Sequence, residues 1–384
     1  MMEPNVSGTA LTEYLYRKAT QLKIPLNGTF ELSPVCNFSC KMCYVRKTRK
    51  EVEESPRRIL TLEDWLSIAK DAHAAGMLDL LLTGGEPLLW PDFWTLYETL
   101  VDMGLQISIN TNGSLIDEEA IARFRQRPPR KISITLYGAN DETYYRLCGA
   151  RGVFTKVDQA IRGLKEAGIE VKLNCSMTPE NAEDIDWIID YAKAQNLVLA
   201  LTTYMFPPVR RDPTQIGVNQ RFTPEESSRY RLRYLQKDRG EEQYQIFLKN
   251  LLAGYAEPPG LEEDCIDLAE GKIRCRAGRA AFWVTWDGWM TPCGLMNEPR
   301  MDLKKQAFPD AWNALTQATE QVRLSSLCES CANRNVCHPC AAVAAAETGS
   351  SSGVPTYMCN AIHELCKLAR EHLHIADKIP DPSK

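Results

Sequence analysis

A chain of 384 residues allows about two to three domains and can bury most of its apolar surface without covalent staples. Hydrophobic residues at 44% and charged residues at 25% give an ordinary globular balance, which excludes disordered and fibrous classes. A formal charge of −5 argues against a general nucleic-acid binder. No run approaches the ~18 apolar residues of a membrane span, and the N-terminal segment has no apolar core of a secretory signal. A cytoplasmic protein is therefore expected. Fourteen cysteines in such a chain point to metal binding rather than disulfides, because cytosolic thiols stay reduced.

In chain order, Thr29–Leu32 reads as a short strand, and Thr61-Leu62-Glu63-Asp64 as a capping-box variant opening a helix through about Ala75. The apolar run Leu78–Thr83 predicts a buried strand closed by the turn Gly84-Gly85. Pro91 starts a helix to about Asp102, and Leu105–Asn110 is a strand. Asp117–Arg125 is a helix, Lys131–Leu136 a strand and Val153–Ala167 a helix. Glu170–Met177, Asp184–Ala194 and Leu197–Thr203 complete six β/α repeats. Such alternation implies a parallel sheet with right-handed crossovers. Six repeats are too few for a closed eight-fold barrel, so an open, partial (β/α)6 barrel is expected. Thr223-Pro224-Glu225-Glu226 caps a further helix. Pro258-Pro259-Gly260 is a linker-like break, beyond which nine of the cysteines lie. The organisation read from this is an N-terminal extension over 1–26, a core over 27–235 and a cysteine-rich domain over 236–384.

Cys36, Cys40 and Cys43 form a C-x3-C-x2-C run just after the first strand, at the end of the sheet where βα loops carry active sites. Three thiolates can hold three irons of a four-iron cluster and leave the fourth open. A zinc site is the alternative on spacing alone, but structural zinc takes four ligands and no fourth lies nearby. With Gly84-Gly85-Glu86-Pro87 at the end of the second strand, the run resembles the radical S-adenosylmethionine (radical SAM) superfamily over about residues 27–205. The resemblance implies a [4Fe–4S] cluster on Cys36, Cys40 and Cys43 that binds S-adenosylmethionine through its open iron. One electron then yields methionine and a 5′-deoxyadenosyl radical, which takes a hydrogen atom from the substrate. It also implies cofactor contacts at Gly84, Gly85, Glu86, Asn112, Thr135 and Arg146, with Glu86 orienting its loop. Cys148 and Cys175 read as small apolar filler.

The remaining cysteines fall into two blocks. Cys275, Gly288 and Cys293 form the first; Cys328, Cys331, Cys337 and Cys340, followed by Cys359, form the second. Their spacing resembles the SPASM extension of radical SAM peptide-modifying enzymes, except that two residues rather than three separate Cys337 from Cys340. The resemblance implies two auxiliary [4Fe–4S] clusters. Cys275, Cys293 and Cys340, with Cys265 as candidate fourth ligand, would hold one; Cys328, Cys331, Cys337 and Cys359 would hold the other. Cys366 reads as packing.

SPASM members act mostly on peptide or protein side chains, so the expected substrate is a ribosomally made peptide, oxidatively cross-linked. Gly294 stands where sulfatase maturases carry a basic carboxylate, which disfavours formylglycine formation. Only 35 residues precede Cys36, too few for a leader-binding winged helix. The core itself or a separate chain would bind a leader. Epimerisation and cofactor-precursor processing are alternatives within the family, and a non-catalytic electron-transfer protein is an alternative outside it. A low-potential donor such as flavodoxin or ferredoxin is implied.

Overall fold

The computed structural model describes residues 10–254 and 271–374. Six parallel strands run in sequence order: β1 (Asn27–Glu31), β2 (Asp79–Thr83), β3 (Gln106–Thr111), β4 (Lys131–Thr135), β5 (Val171–Ser176) and β6 (Val198–Thr202). Along β3, buried Ile107 and Ile109 alternate with half-buried Ser108 and Asn110, the period-two signature of a sheet with two different faces. Phe30, Leu82, Ile109, Ile134 and Leu173 join the buried faces of the crossover helices in one continuous core.

The helices start where local chemistry predicts. Thr61 accepts from the Asp64 amide and Asp64 answers at the Thr61 amide, opening Leu62–Ala74. Thr223 does the same with Glu226, with Pro224 at the first helical position, opening Pro224–Arg239. An additional helix, Asp141–Cys148, lies between β4 and the helix Phe154–Glu166 and was absent from the sequence reading. Its signals are the Asn140 side chain accepting from the Thr143 amide and left-handed Gly149 at the C-cap.

The cysteine-rich region adds strands that the sequence reading did not expect. β7 (Ala281–Val284) pairs in parallel with β1, and β8 (Trp289–Thr291) and β9 (Met301–Asp302) continue the same sheet antiparallel. The expected division at residue 235 falls inside helix Pro224–Arg239. That helix packs with Glu241–Leu252 and Thr356–His372 around a second core of Leu232, Leu235, Tyr244, Leu248, Ile362 and Leu365. Cys366 is buried in this core, as its packing role requires. Among the described residues, no helix is long and apolar enough to cross a membrane.

Candidate active site

The first-half candidates converge on the C-terminal ends of β1 to β4. The cysteine loop follows β1, Gly84–Glu86 follow β2, Asn112 follows β3, Thr135 closes β4, and Arg146 lies on helix Asp141–Cys148. That helix clamps the cysteine loop: Ser39 N–H donates to the Cys148 carbonyl at 2.6 Å and Lys41 N–H to that of Leu147 at 3.1 Å. The loop turns its amides onto its own sulfurs, Phe38 onto Cys36 and Arg46 onto Cys43, each at 3.3 Å. Burial pushes the Cys36 thiol up to about 12 and raises Cys43. Cys40 is held below its ordinary value, chiefly by a hydrogen bond from the Cys148 thiol. Cys148 is thus buried, as apolar filler should be, yet it also touches a candidate ligand. Its sequence neighbourhood carries no signal of that contact. Cys175 is buried in the core without such a contact to the cysteine loop.

The two glycines have a local reason. Gly84 has φ +156°, and a Cβ there would stand 2.4 Å from the Ser33 carbonyl oxygen; a Cβ on Gly85 would stand 2.4 Å from that of Val35. The β2 turn therefore packs backbone to backbone against the segment leading into Cys36, with Gly85 N–H donating to Ser33 at 2.7 Å and Glu86 N–H to Val35 at 3.0 Å. Glu86 is fully buried. Its carboxylate accepts from the Thr111 hydroxyl at 2.8 Å and from the Asn112 and Leu88 amides at 2.8 and 3.2 Å. The side chain therefore ties the ends of β2 and β3, and the Glu86 amide adds the segment after β1 to the same rim. Burial outweighs these donors and pushes its carboxyl up to about 7.

Asn112 donates to Asn37 Oδ1 at 2.9 Å and lies 3.8 Å from Cys36 Sγ, so it steadies the cysteine loop from the neighbouring strand end. Thr135 is half-buried at the rim. The Arg146 guanidinium donates to the Glu180 carbonyl at 2.8 Å and pairs with the Glu183 carboxylate, both in the loop after β5.

The downstream cysteines also gather. Cys293, two residues beyond β8, is pushed up to about 12 by burial and then by the nearby Cys275 and Cys340 thiols. Cys337, likewise pushed up to about 12 by burial, feels Cys359, Cys328 and Cys331. These four, with Cys340 at the edge, line a cavity of about 220 Å³. The chain passes from the four-thiol group to Cys340 through left-handed His338, φ +49°, and Pro339. The short two-residue spacing is thus a tight turn that delivers Cys340 to Cys275 and Cys293. Cys265 lies outside the described residues.

Residues that the sequence did not single out connect the two regions. Arg210, in the loop after β6, pairs with Glu31 at 2.8 Å and donates to the Gly294 carbonyl, next to Cys293, at 2.7 Å. The Trp283 indole donates to the same Glu31 oxygen at 3.1 Å. Tyr44, next to Cys43, sits within the fields of Arg210, Glu31, Cys43 and Cys293, and burial pushes its hydroxyl up to about 12. The first cysteine loop and the β8 turn therefore meet across Tyr44 and Arg210.

Residues 30–192 match the family model of the Radical SAM superfamily. The chain is 24% identical over 331 residues to the AdoMet-dependent heme synthase of Methanosarcina barkeri, covering 83% of this chain and 92% of that protein. It is 23% identical over 287 residues to the sporulation killing factor maturation protein SkfB of Bacillus subtilis, covering 75% of this chain and 64% of that one. The structure of Streptococcus suis SuiB bound to S-adenosylmethionine superposes with a TM-score of 0.65 at 19% identity, covering 93% of this chain and 84% of that one, a likeness of fold.

Proposed function

From a chain that carries a radical SAM domain over residues 30–192, we propose an enzyme that cleaves S-adenosylmethionine reductively and oxidises an organic substrate with the help of two auxiliary iron–sulfur clusters. The observation that carries this is the gathering of cysteines distant in sequence into two further groups, one of them facing the first cysteine loop across Tyr44. Among the described residues no three His, Cys, Asp or Glu side chains are set to hold a single metal ion. A cubane spreads its thiolates over separate irons, so the two thiol groups are read as cluster donors rather than single-ion sites.

Cys36, Cys40 and Cys43 would hold the first cluster. Cys275, Cys293 and Cys340, with Cys265 as the candidate fourth, would hold one auxiliary cluster, and Cys328, Cys331, Cys337 and Cys359 the other. The division into a core over 27–235 and an auxiliary region over 236–384 belongs to this reading. When bound, the first cluster and S-adenosylmethionine supply a 5′-deoxyadenosyl radical able to take a hydrogen atom from the substrate. The chain's own work is positional. Glu86 and the Gly84-Gly85 turn hold the cysteine loop against the β2 and β3 ends, and helix Asp141–Cys148 holds it from the other side. Thr135, Asn112 and Arg146 stand on the same rim as candidate cofactor contacts, and Arg146 would exchange Glu183 for the cofactor carboxylate.

The substrate is read as a ribosomally made peptide, supported by the likeness to SkfB over 75% of this chain. The likeness to an AdoMet-dependent heme synthase over 83% of the chain favours a second reading, processing of a cofactor precursor. The test is anaerobic turnover of the reconstituted enzyme with a low-potential reductant such as reduced flavodoxin. Peptides encoded beside the gene and tetrapyrrole precursors are supplied in parallel. Formation of 5′-deoxyadenosine with loss of hydrogen from one substrate class selects between the readings. Cys40→Ala abolishes 5′-deoxyadenosine, whereas Cys331→Ala keeps cofactor cleavage and lowers product. Full product formation by Cys331→Ala would remove the auxiliary role.

A further inference from the structure

Cys148 stands apart from the three donor sets. It is fully buried at the end of helix Asp141–Cys148, and the cysteine spacings assign it to none of them. The backbone nevertheless sets it opposite Cys40. Ser39 N–H donates to the Cys148 carbonyl at 2.6 Å and Lys41 N–H to that of Leu147 at 3.1 Å, one bond on each side of Cys40. A Cβ on Gly149 would stand 3.4 Å from Ser39 Cβ, so the two segments are in van der Waals contact. Backbones bonded on both sides of a residue bring its Cα within about 5.5 Å of the facing one. A disulfide spans Cα separations of about 4.4–6.8 Å.

The other two thiols of the loop are directed elsewhere. Cys36 Sγ accepts from the Phe38 amide and Cys43 Sγ from the Arg46 amide, each at 3.3 Å. The Cys40 side chain meets the Cys148 thiol instead. Phe38, Tyr137 and Tyr144 pack edge to face beside the pair, with ring centroids 5.9–6.2 Å apart. Cys40 is half-exposed, whereas Cys148 is closed off from solvent. Cys175, equally buried, meets the Met177 sulfur at 3.4 Å.

We propose that Cys40 and Cys148 are a modification site: when Cys40 is not held by iron, a hydroperoxide joins the two as a reversible disulfide. Cys40, the half-exposed member, reacts first, its thiol becoming a sulfenic acid while the peroxide leaves as water. The buried Cys148 thiol then attacks that sulfur, forms the S–S bond and releases a second water. In all, two thiols give up two electrons and two protons, and one peroxide becomes two waters. Without a thiol at position 148 the sulfenic acid stays open to a second peroxide, which carries it to the irreversible sulfinic acid. The bond thus guards the middle cysteine of the first loop. That guarding role rests on Cys40 being a cluster ligand, as under the proposed function; the bond itself rests on the juxtaposition of the two residues.

The test treats two forms of the full chain with hydrogen peroxide: the anaerobically reconstituted holoenzyme and the same chain stripped of iron by a chelator. Free thiols are then blocked with N-ethylmaleimide and the chain is digested with trypsin without reduction. Iron content before treatment tests the cluster reading separately; little iron would overturn that reading and leave the bond to be judged on the stripped chain. Peptide 24–41, which holds Cys36 and Cys40, should be linked to peptide 147–151, and fragmentation should place the bond at Cys40. Dithiothreitol should return Cys40 to a maleimide-reactive thiol. Cys148→Ser should raise the fraction of Cys40 found as sulfinic acid by at least about threefold. A Cys40 bond to Cys36, Cys43 or any other thiol, Cys40 sulfinic acid beside a free Cys148 in the unaltered chain, or equal sulfinic acid in both chains would each overturn the proposal. The peptide map of the unaltered chain decides it even where the variant fails to fold.

Discussion

Arg210 and Glu31 form a buried ion pair at 2.8 Å between the loop after β6 and the end of β1. Because Arg210 also holds the Gly294 carbonyl, this one guanidinium joins the end of β1 to the residue after Cys293. The Trp283 indole shares the paired carboxylate oxygen, and the other oxygen, Glu31 Oε1, is buried without a partner. The pair therefore has no spare donor to fall back on. Arg210→Ala should destabilise the chain by about 3–5 kcal/mol, because it leaves a buried carboxylate unpaired. The double variant Glu31→Gln/Arg210→Ala should recover part of that loss. Denaturant unfolding of the single and double variants checks both statements.

The close approach at Gly85 makes a second prediction. A methyl group 2.4 Å from the Val35 carbonyl has to push the segment that leads into Cys36. Gly85→Ala should cost about 1–3 kcal/mol as overpacking. It should also suppress 5′-deoxyadenosine formation more strongly than it lowers stability, since the displaced segment carries the first cysteine. Parallel unfolding and cofactor-cleavage assays separate the two effects.

Glu86 should make stability depend on pH. Its carboxyl is pushed up to about 7 by burial, against about 4.3 in an unfolded chain. The folded state therefore holds the proton more tightly. The contribution is full below about 4.3 and is lost as pH rises through about 7. Between these values wild-type stability should fall relative to Glu86→Gln, whose side chain does not titrate. Unfolding midpoints of both proteins across this range give the difference; a difference independent of pH would refute the assignment.

Metal content tests the three donor sets. With four irons per thiolate-held cubane, anaerobic reconstitution should give about twelve irons per chain. Replacing Cys36, Cys40 and Cys43 with Ala should leave about eight. Zinc in place of iron would overturn the cluster assignments.

Much of this was legible in the sequence because it depends on local chemistry. The apolar run Leu78–Thr83, the Thr61 and Thr223 caps and the Gly84-Gly85 turn each act within a few residues, and β2, the two helices and the turn stand where they predict. The grouping of the downstream thiols came from the resemblance to the SPASM pattern; in the structure Cys293 lies within the fields of Cys275 and Cys340, and Cys337 within those of Cys359, Cys328 and Cys331. Helix Asp141–Cys148 was missed although its Asn140 cap and Gly149 stop are local signals, because they bracket a short segment that reads equally well as a loop.

The amino-acid sequence by itself determined the β/α order, the first cysteine motif and the identity of the downstream thiols, since propensity, capping and spacing operate along the chain. Only the tertiary structure decided that Cys148 touches Cys40, that Glu86 ties the ends of β2 and β3 to the segment after β1, and that Arg210 links Glu31 to Gly294. It also decided that β7 to β9 extend the six-stranded parallel sheet. Each of these is a contact between segments far apart in the chain. A buried charge or thiol finds its partner only after the sheet and helices have packed, and no local preference encodes which group packing will bring within hydrogen-bond reach.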